Sequence, residues 1–240
     1  MSAIRIVNPN TSVAMTEAVE AAARAVARPD TTISASHSEV APATVETFVD
    51  EVFGAAGVLA QIEQGERDGV DGYVIACFGD TGLPAARERA AGPVVGMTEA
   101  ALQAAALIAH RFTVITMPPR TIAMTDRVVA SLGLGHRCTV RAVDVAVSEI
   151  ESGAGPAFDA FAREARLALA ADGAEAVVLG CAGLTELVTS LADALGVPVI
   201  DGVAAATTAV EGLLAQGLST SRANTWAAPD GSPTTSEVWG

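Results

Sequence analysis

Ala76-Cys77-Phe78-Gly79-Asp80-Thr81-Gly82-Leu83 has an echo in the second half of the chain, Gly180-Cys181-Ala182-Gly183-Leu184. Each follows a short apolar run, Tyr73-Val74-Ile75 in the first copy and Val177-Val178-Leu179 in the second. Each sets a cysteine, one residue and then a glycine. Each continues through a helix-like stretch to Pro-Val-Val or Pro-Val-Ile, 16 residues from Cys77 to Pro93 and 17 from Cys181 to Pro198. Apolar runs this short, bounded by glycine and followed by helical patterning, read as buried strands feeding helices. The two thiols then occupy equivalent strand ends in two similar halves, as two faces of one active site would.

Outward from these stretches, the same alternation covers most of the chain. Ile4–Val7 reads as a strand that ends in the turn cluster Asn8-Pro9-Asn10-Thr11-Ser12. Ala14–Ala27 reads as a helix, Thr31–Ser36 as a strand, and Val45–Asp68 as a long helical stretch in which Gly54 and Gly57 allow a break. Gly72–Ala76 is the strand that delivers Cys77. Leu83–Ala91, with Pro84 suited to a first turn, is a helix; Pro93–Gly96 is a strand and Thr98–His110 an Ala-rich helix. The pattern then restarts with strand Phe112–Thr116, helix Thr121–Leu132, strand Thr139–Val143, helix Phe158–Ala171 and strand Ala176–Gly180. Helix Leu184–Leu195, strand Val197–Ile200 and helix Val203–Gln216 complete it. Ser219–Gly240 is polar and aperiodic, an irregular tail.

Strands alternating with helices predict an α/β protein. The repeat predicts two similar subdomains, each a roughly four-stranded parallel sheet flanked by helices, pseudo-twofold related with a cleft between them. The expected boundaries are 1–97 for the first, completed by 203–240, and 98–202 for the second. In such sheets ligands sit beyond the carboxyl ends of the strands. Asn8, Cys77, Thr116 and Cys181 lie at such ends, with Met117 just past one of them, and converge if the sheets face each other.

Composition narrows the function. Half of the 240 residues are apolar and only 4% aromatic, so the core is built from Ala, Val, Leu and Ile. There is no lysine; 14 arginines stand against 28 acidic residues, for a net charge of −14. That balance argues against nucleic acid and anionic membranes as partners and leaves a small-molecule substrate. No run approaches the length of a spanning helix, and no signal-peptide layout precedes the first strand, so a cytoplasmic location is expected. Three cysteines in a chain this long are expected to be free thiols rather than a disulfide framework. A homo-oligomer is expected.

A thiol with a helix beginning just after it sees the unpaired N–H groups and positive end of that helix, which favours thiolate and lowers its pKa. Two such thiols across a cleft suit one chemistry. A thiolate removes a proton from a carbon acid on one face while a thiol delivers one to the other, inverting a stereocentre without metal, flavin or pyridoxal. The N–H groups of Phe78, Gly79, Ala182 and Gly183 are placed to receive the developing enolate oxygen. Cys138, without a counterpart in the other half, reads as apolar filler. Asn8 reads equally as a turn residue and as a substrate contact. Asp80 reads as a helix cap, with a substrate or thiol-tuning role as the alternative. His37, His110 and His136 share no ligand spacing, so no metal site is expected. No glycine fingerprint or P-loop is present, so no nucleotide cofactor is expected.

Ile6-Val7-Asn8-Pro9-Asn10-Thr11-Ser12, Cys77-Phe78-Gly79-Asp80, Cys181-Ala182-Gly183 and Pro198-Val199-Ile200-Asp201-Gly202-Val203-Ala204-Ala205-Ala206 together resemble the hydantoin racemase branch of the aspartate/glutamate racemase superfamily. The resemblance runs from about Ile4 to Leu218. It implies two α/β subdomains sharing a cleft, no cofactor, and an acid–base pair at Cys77 and Cys181. It also implies substrate contacts at Asn8, Phe78-Gly79, Thr116-Met117 and Ala182-Gly183. Thr81 departs from the pattern, standing where proline is common, and Met117-Pro118-Pro119 replaces a loop that usually reads more like Thr-Leu-Pro. The expected activity is racemisation of 5-substituted hydantoins. Allantoin racemase is the nearest alternative; an amino-acid racemase and a maleate isomerase stand further off. Outside enzymology, the alternative is a small-molecule binding module, for which two equivalent strand-end thiols would be a coincidence.

Overall fold

The computed structural model describes residues 2–146, 155–229 and 231–239. Two four-stranded parallel sheets carry the fold. The first contains β1 (Ser2–Asn8), β2 (Thr31–His37), β3 (Gly72–Ile75) and β4 (Val94–Gly96), in the order β2-β1-β3-β4. The second contains β5 (Phe112–Thr116), β6 (Cys138–Ala142), β7 (Ala176–Gly180) and β8 (Val199–Ile200), in the order β6-β5-β7-β8. The two orders are the same, and every neighbouring pair is parallel. The internal repeat seen in the sequence is thus a repeat of topology.

The central strands β3, β5 and β7 are buried along their whole length because helices cover both faces of each sheet. Ile4, Ile6, Val74, Ile75, Val114, Ile115, Val177 and Val178 are fully buried, each contributing roughly 1.5–3 kcal/mol of transfer free energy. The covering helices of the first half are α1 (Val13–Val26), α2 (Phe48–Asp68), α3 (Leu83–Arg89) and α4 (Met97–Ile108). Those of the second are α5 (Ile122–Ser131), α6 (Gly155–Ala171) and α7 (Val188–Leu195). Helix α8 (Gly202–Ala215) packs on α1 and α4 and touches strands of both sheets. Ala100, Ala101, Ala105 and Ala206 are buried in this region, and side chains that small let helices lie close where few aromatics fill space.

Four sequence expectations change. Helix α2 is unbroken, because Gly57 serves close packing rather than a break: a Cβ there would lie 2.1 Å from the Ser38 hydroxyl oxygen. It starts at Phe48 instead of Val45, because Thr47 and Asp50 form a capping box; Thr47 Oγ1 accepts from Asp50 N at 3.0 Å and Asp50 Oδ2 from Thr47 N at 2.9 Å. The stretch after Cys181 opens as a 3-10 helix, Ala182–Leu187, before α7. The C-terminal tail is not wholly irregular. It forms a 3-10 turn, Asn224–Trp226, and a short helix α9 (Thr235–Trp239). The Arg222 guanidinium donates to the carbonyls of Arg87 and Glu88 at 3.2 and 3.1 Å, and Trp226 lies under the Arg87 guanidinium, 5.3 Å from ring centroid to Cζ.

Candidate active site

The third strand of each sheet aims its thiol at the same place. Cys77 follows β3 and Cys181 follows β7, and both line one pocket between the sheets. Phe78, Thr116, Met117 and Ala182 join them there, as the sequence led one to expect. Asn10, Met15, Val45 and Thr121 also line it and were not foreseen. The pocket holds about 40 Å³, room for about one water molecule. Hollows of about 470, 400 and 370 Å³ open elsewhere, but no cysteine lines them, so size does not identify the site.

Burial dominates the ionisation of both thiols. It pushes Cys77 up to about 12, with the Thr81 hydroxyl pulling down and the nearby Cys181, Asp80 and Glu51 adding to the rise. It pushes Cys181 up to about 11, with the Gly183 N–H pulling down and Glu46 adding to the rise. The expected lowering by helix ends is therefore outweighed. Both thiols keep only part of their surface exposed in a narrow pocket, which leaves little water for a thiolate, and neither group has a cation among the influences on it. Only Cys181 receives help from a helix start, as N-cap of the 3-10 helix Ala182–Leu187.

Four predicted contacts, Asn8, Gly79, Asp80 and Gly183, do not line this pocket. The fully buried Asn8 amide donates to Asn10 Oδ1 at 2.8 Å and Thr16 Oγ1 at 3.0 Å, and its Oδ1 accepts from Asn10 N at 3.2 Å. This is the turn-residue role, and it holds Asn10 at the pocket. The Gly79 N–H is taken by Thr98 Oγ1 at 2.7 Å, so it is not an oxyanion donor as expected. Asp80 caps α4: Oδ1 accepts from Thr98 N at 2.8 Å and Oδ2 from Glu99 N at 2.9 Å. Burial lifts the Asp80 carboxyl to about 7 against the pull of those two N–H groups. Gly96 makes the approach fit, since a Cβ there would lie 2.3 Å from Asp80 Cγ.

Thr116 Oγ1 lies 2.8 Å from Thr121 Oγ1 and 3.3 Å from the Gly180 carbonyl oxygen, tying the ends of β5 and β7 together. Asn10 carried a signal in the turn cluster that closes β1. Val45 carried none, because it comes from an irregular segment between β2 and α2. Cys138 is half-buried at the start of β6 and does not line the pocket. None of the three histidines does either. Among the described residues, no three His, Cys, Asp or Glu side chains gather as metal ligands, and no helix is long and apolar enough to cross a membrane.

Two parallel sheets of identical strand order, each ending its third strand in a cysteine that opens into a common pocket, define a two-lobed α/β class with paired thiols. A family model described as Asp/Glu/hydantoin racemase matches residues 4–210, and the chain belongs to that family. A hydantoin racemase from Rhizobium meliloti is 46% identical over 227 residues, 94% of each chain. Another, from Pseudomonas sp. (strain NS671), is 41% identical over 95% of this chain and 92% of its own length. Among solved structures, an allantoin racemase from Klebsiella pneumoniae superposes with a TM-score of 0.94 at 44% identity, over 97% of this chain and 95% of its own.

Proposed function

We propose that the protein is a cofactor-independent racemase of 5-substituted hydantoins, and that Cys77 and Cys181 exchange the C5 proton between the two faces of the ring. The observation that carries this is the shared pocket: two thiols from equivalent strand ends, with little else in it that can accept a proton. The thiol side chains of Cys77 and Cys181 would flank the ring. One, as thiolate, takes the C5 proton, and the other, as thiol, returns one from the opposite side. The Ala182 N–H, at the open end of the 3-10 helix, supplies a donor for the enolate oxygen. A thiol of high pKa is seldom ionised at neutral pH but is a strong base once it is, which suits a weak carbon acid.

Met15, Val45, Phe78 and Met117 give the pocket an apolar wall. This favours alkyl or aryl substituents at C5. The pocket is far smaller than the ~300 Å³ at the low end for ligand sites, so admitting substrate requires a wall to move. Residues 38–47, which contribute Val45, form one wall segment outside any helix or strand. Allantoin, a hydantoin bearing a polar ureido group, is the second reading, favoured by the likeness to the Klebsiella pneumoniae structure.

The test is polarimetry on single enantiomers of alkyl and aryl hydantoins and of allantoin, without added cofactor. Loss of rotation with the apolar substrates is expected. Racemisation of allantoin alone moves the assignment to the second reading, and none with any of them refutes both.

A further inference from the structure

The Gly183 N–H, two residues on, pulls the Cys181 thiol down toward ionisation. The same position in the other lobe is Gly79, whose N–H goes instead to Thr98 Oγ1. The first lobe therefore needs a different donor. The side chain of Thr81 provides it: its hydroxyl donates to Cys77 Sγ at 3.4 Å. Among the described residues that hydroxyl makes no other hydrogen bond. Thr81 is 2% exposed, so water does not compete for it. Its methyl faces helix α2, where a Cβ on Gly54 would lie 3.1 Å from Thr81 Cγ2. The methyl contact fixes the rotamer, and the rotamer aims the hydroxyl.

We propose that Thr81 is a positioning residue that holds the Cys77 sulfur in place and stabilises its thiolate, replacing the backbone donor that the second lobe uses. The inference rests on the reading of Cys77 as a proton-transfer group. It concerns a position that departs from the pattern the sequence resembles, where proline would offer no side-chain donor at all. A hydrogen bond to the charged form of a group favours that form. The other groups facing Cys77 all oppose ionisation: Cys181 from the second lobe, Asp80 from its own loop and Glu51 from α2. Thr81 is thus the local donor that favours the base. Hydrogen bonds to charged groups correspond to a change of roughly one to two units in pKa.

The test isolates one thiol. In a Cys138→Ser/Cys181→Ser background, the rate of iodoacetamide alkylation against pH reports ionisation of Cys77. Thr81→Val keeps the shape and removes the hydroxyl. It is expected to slow alkylation about tenfold at a pH below the midpoint, and Thr81→Ser is expected to restore the rate. Thr81→Ala, also without the hydroxyl, serves as a second variant should valine disturb folding. In a Cys77→Ser/Cys138→Ser background, Thr81→Val should leave the alkylation of Cys181 in place. With both thiols present, Thr81→Val should lower kcat/KM for both enantiomers alike, because their equilibrium constant is one. Unchanged Cys77 titration in the hydroxyl-free variants overturns the inference, as does an equal shift at Cys181. Racemisation by Cys77→Ser is a separate result: it overturns the catalytic reading itself, whatever Thr81 does.

Discussion

Beyond β7 the chain passes through Cys181 directly into a 3-10 helix, and the Gly183 backbone N–H favours the thiolate. Beyond β3 it takes a longer path from Cys77 through Gly79 and Asp80, with φ of 116° and 54°, before α3 begins at Leu83. There the sulfur meets a side-chain hydroxyl, and the loop is held from behind by Asp80 and Thr98. Strand order places both thiols equivalently, but the loops give them different surroundings. Topology alone therefore makes a pair of thiols, and loop chemistry decides how each one works. The comparison breaks if the two lobes behave alike, or if only one matters.

The largest effect expected is from removing either thiol. Cys77→Ser and Cys181→Ser should each cost on the order of 10²–10⁴ in racemisation rate, measured by chiral chromatography. A large loss in only one of them would mean that one lobe carries the chemistry. Next in size is the response to pH. The active form needs one thiolate and one thiol, and burial places their pKa values at about 11 and about 12. Raising the pH toward the lower value populates the thiolate, so kcat/KM should climb by up to about tenfold per unit above neutrality. A plateau already at neutral pH would show that a thiolate is preformed.

A smaller effect separates the lobes by stability. Asp80 supports the first loop only, and Asp80→Asn should destabilise the protein by about 1–2 kcal/mol in urea unfolding. The cost should depend on pH. The folded carboxyl titrates at about 7 against an ordinary 3.8, so the raised pKa favours folding most in acid, and that contribution is lost as pH rises through about 7. The gap between wild type and Asp80→Asn should accordingly shrink from acid to neutral pH; a gap that widens would mean the two N–H bonds outweigh burial. Smallest of all, Cys138→Ser should leave racemisation unchanged, because that thiol sits at the start of a strand rather than beyond its end.

Much of this was legible in the chain. The duplicated Cys-x-Gly after apolar runs gave both sheets and the place where they converge, because buried parallel strands must read as apolar runs and their carboxyl ends must face the site. What failed to show was set by packing between distant residues. Gly57 looked like a helix break until Ser38 was found against it. Gly79 looked like an oxyanion donor until Thr98 took its N–H. Asn8 proved to hold Asn10 rather than face the pocket. The thiols were expected to be acidified by helix ends, and burial, which no local motif reports, reversed the direction. Val45 reaches the pocket on a segment without periodicity, so no pattern could mark it.

The central claim is that Cys77 and Cys181 serve opposite faces of one carbon acid. Each single variant keeps one thiol, which can take a proton from the enantiomer facing it and return a deuteron to the same side. Proton NMR of single-enantiomer hydantoins in D₂O reads this directly. The account predicts that Cys77→Ser and Cys181→Ser each exchange the C5 proton of one enantiomer with retention of configuration, and that the two variants prefer opposite enantiomers. Exchange of the same enantiomer by both variants would contradict it.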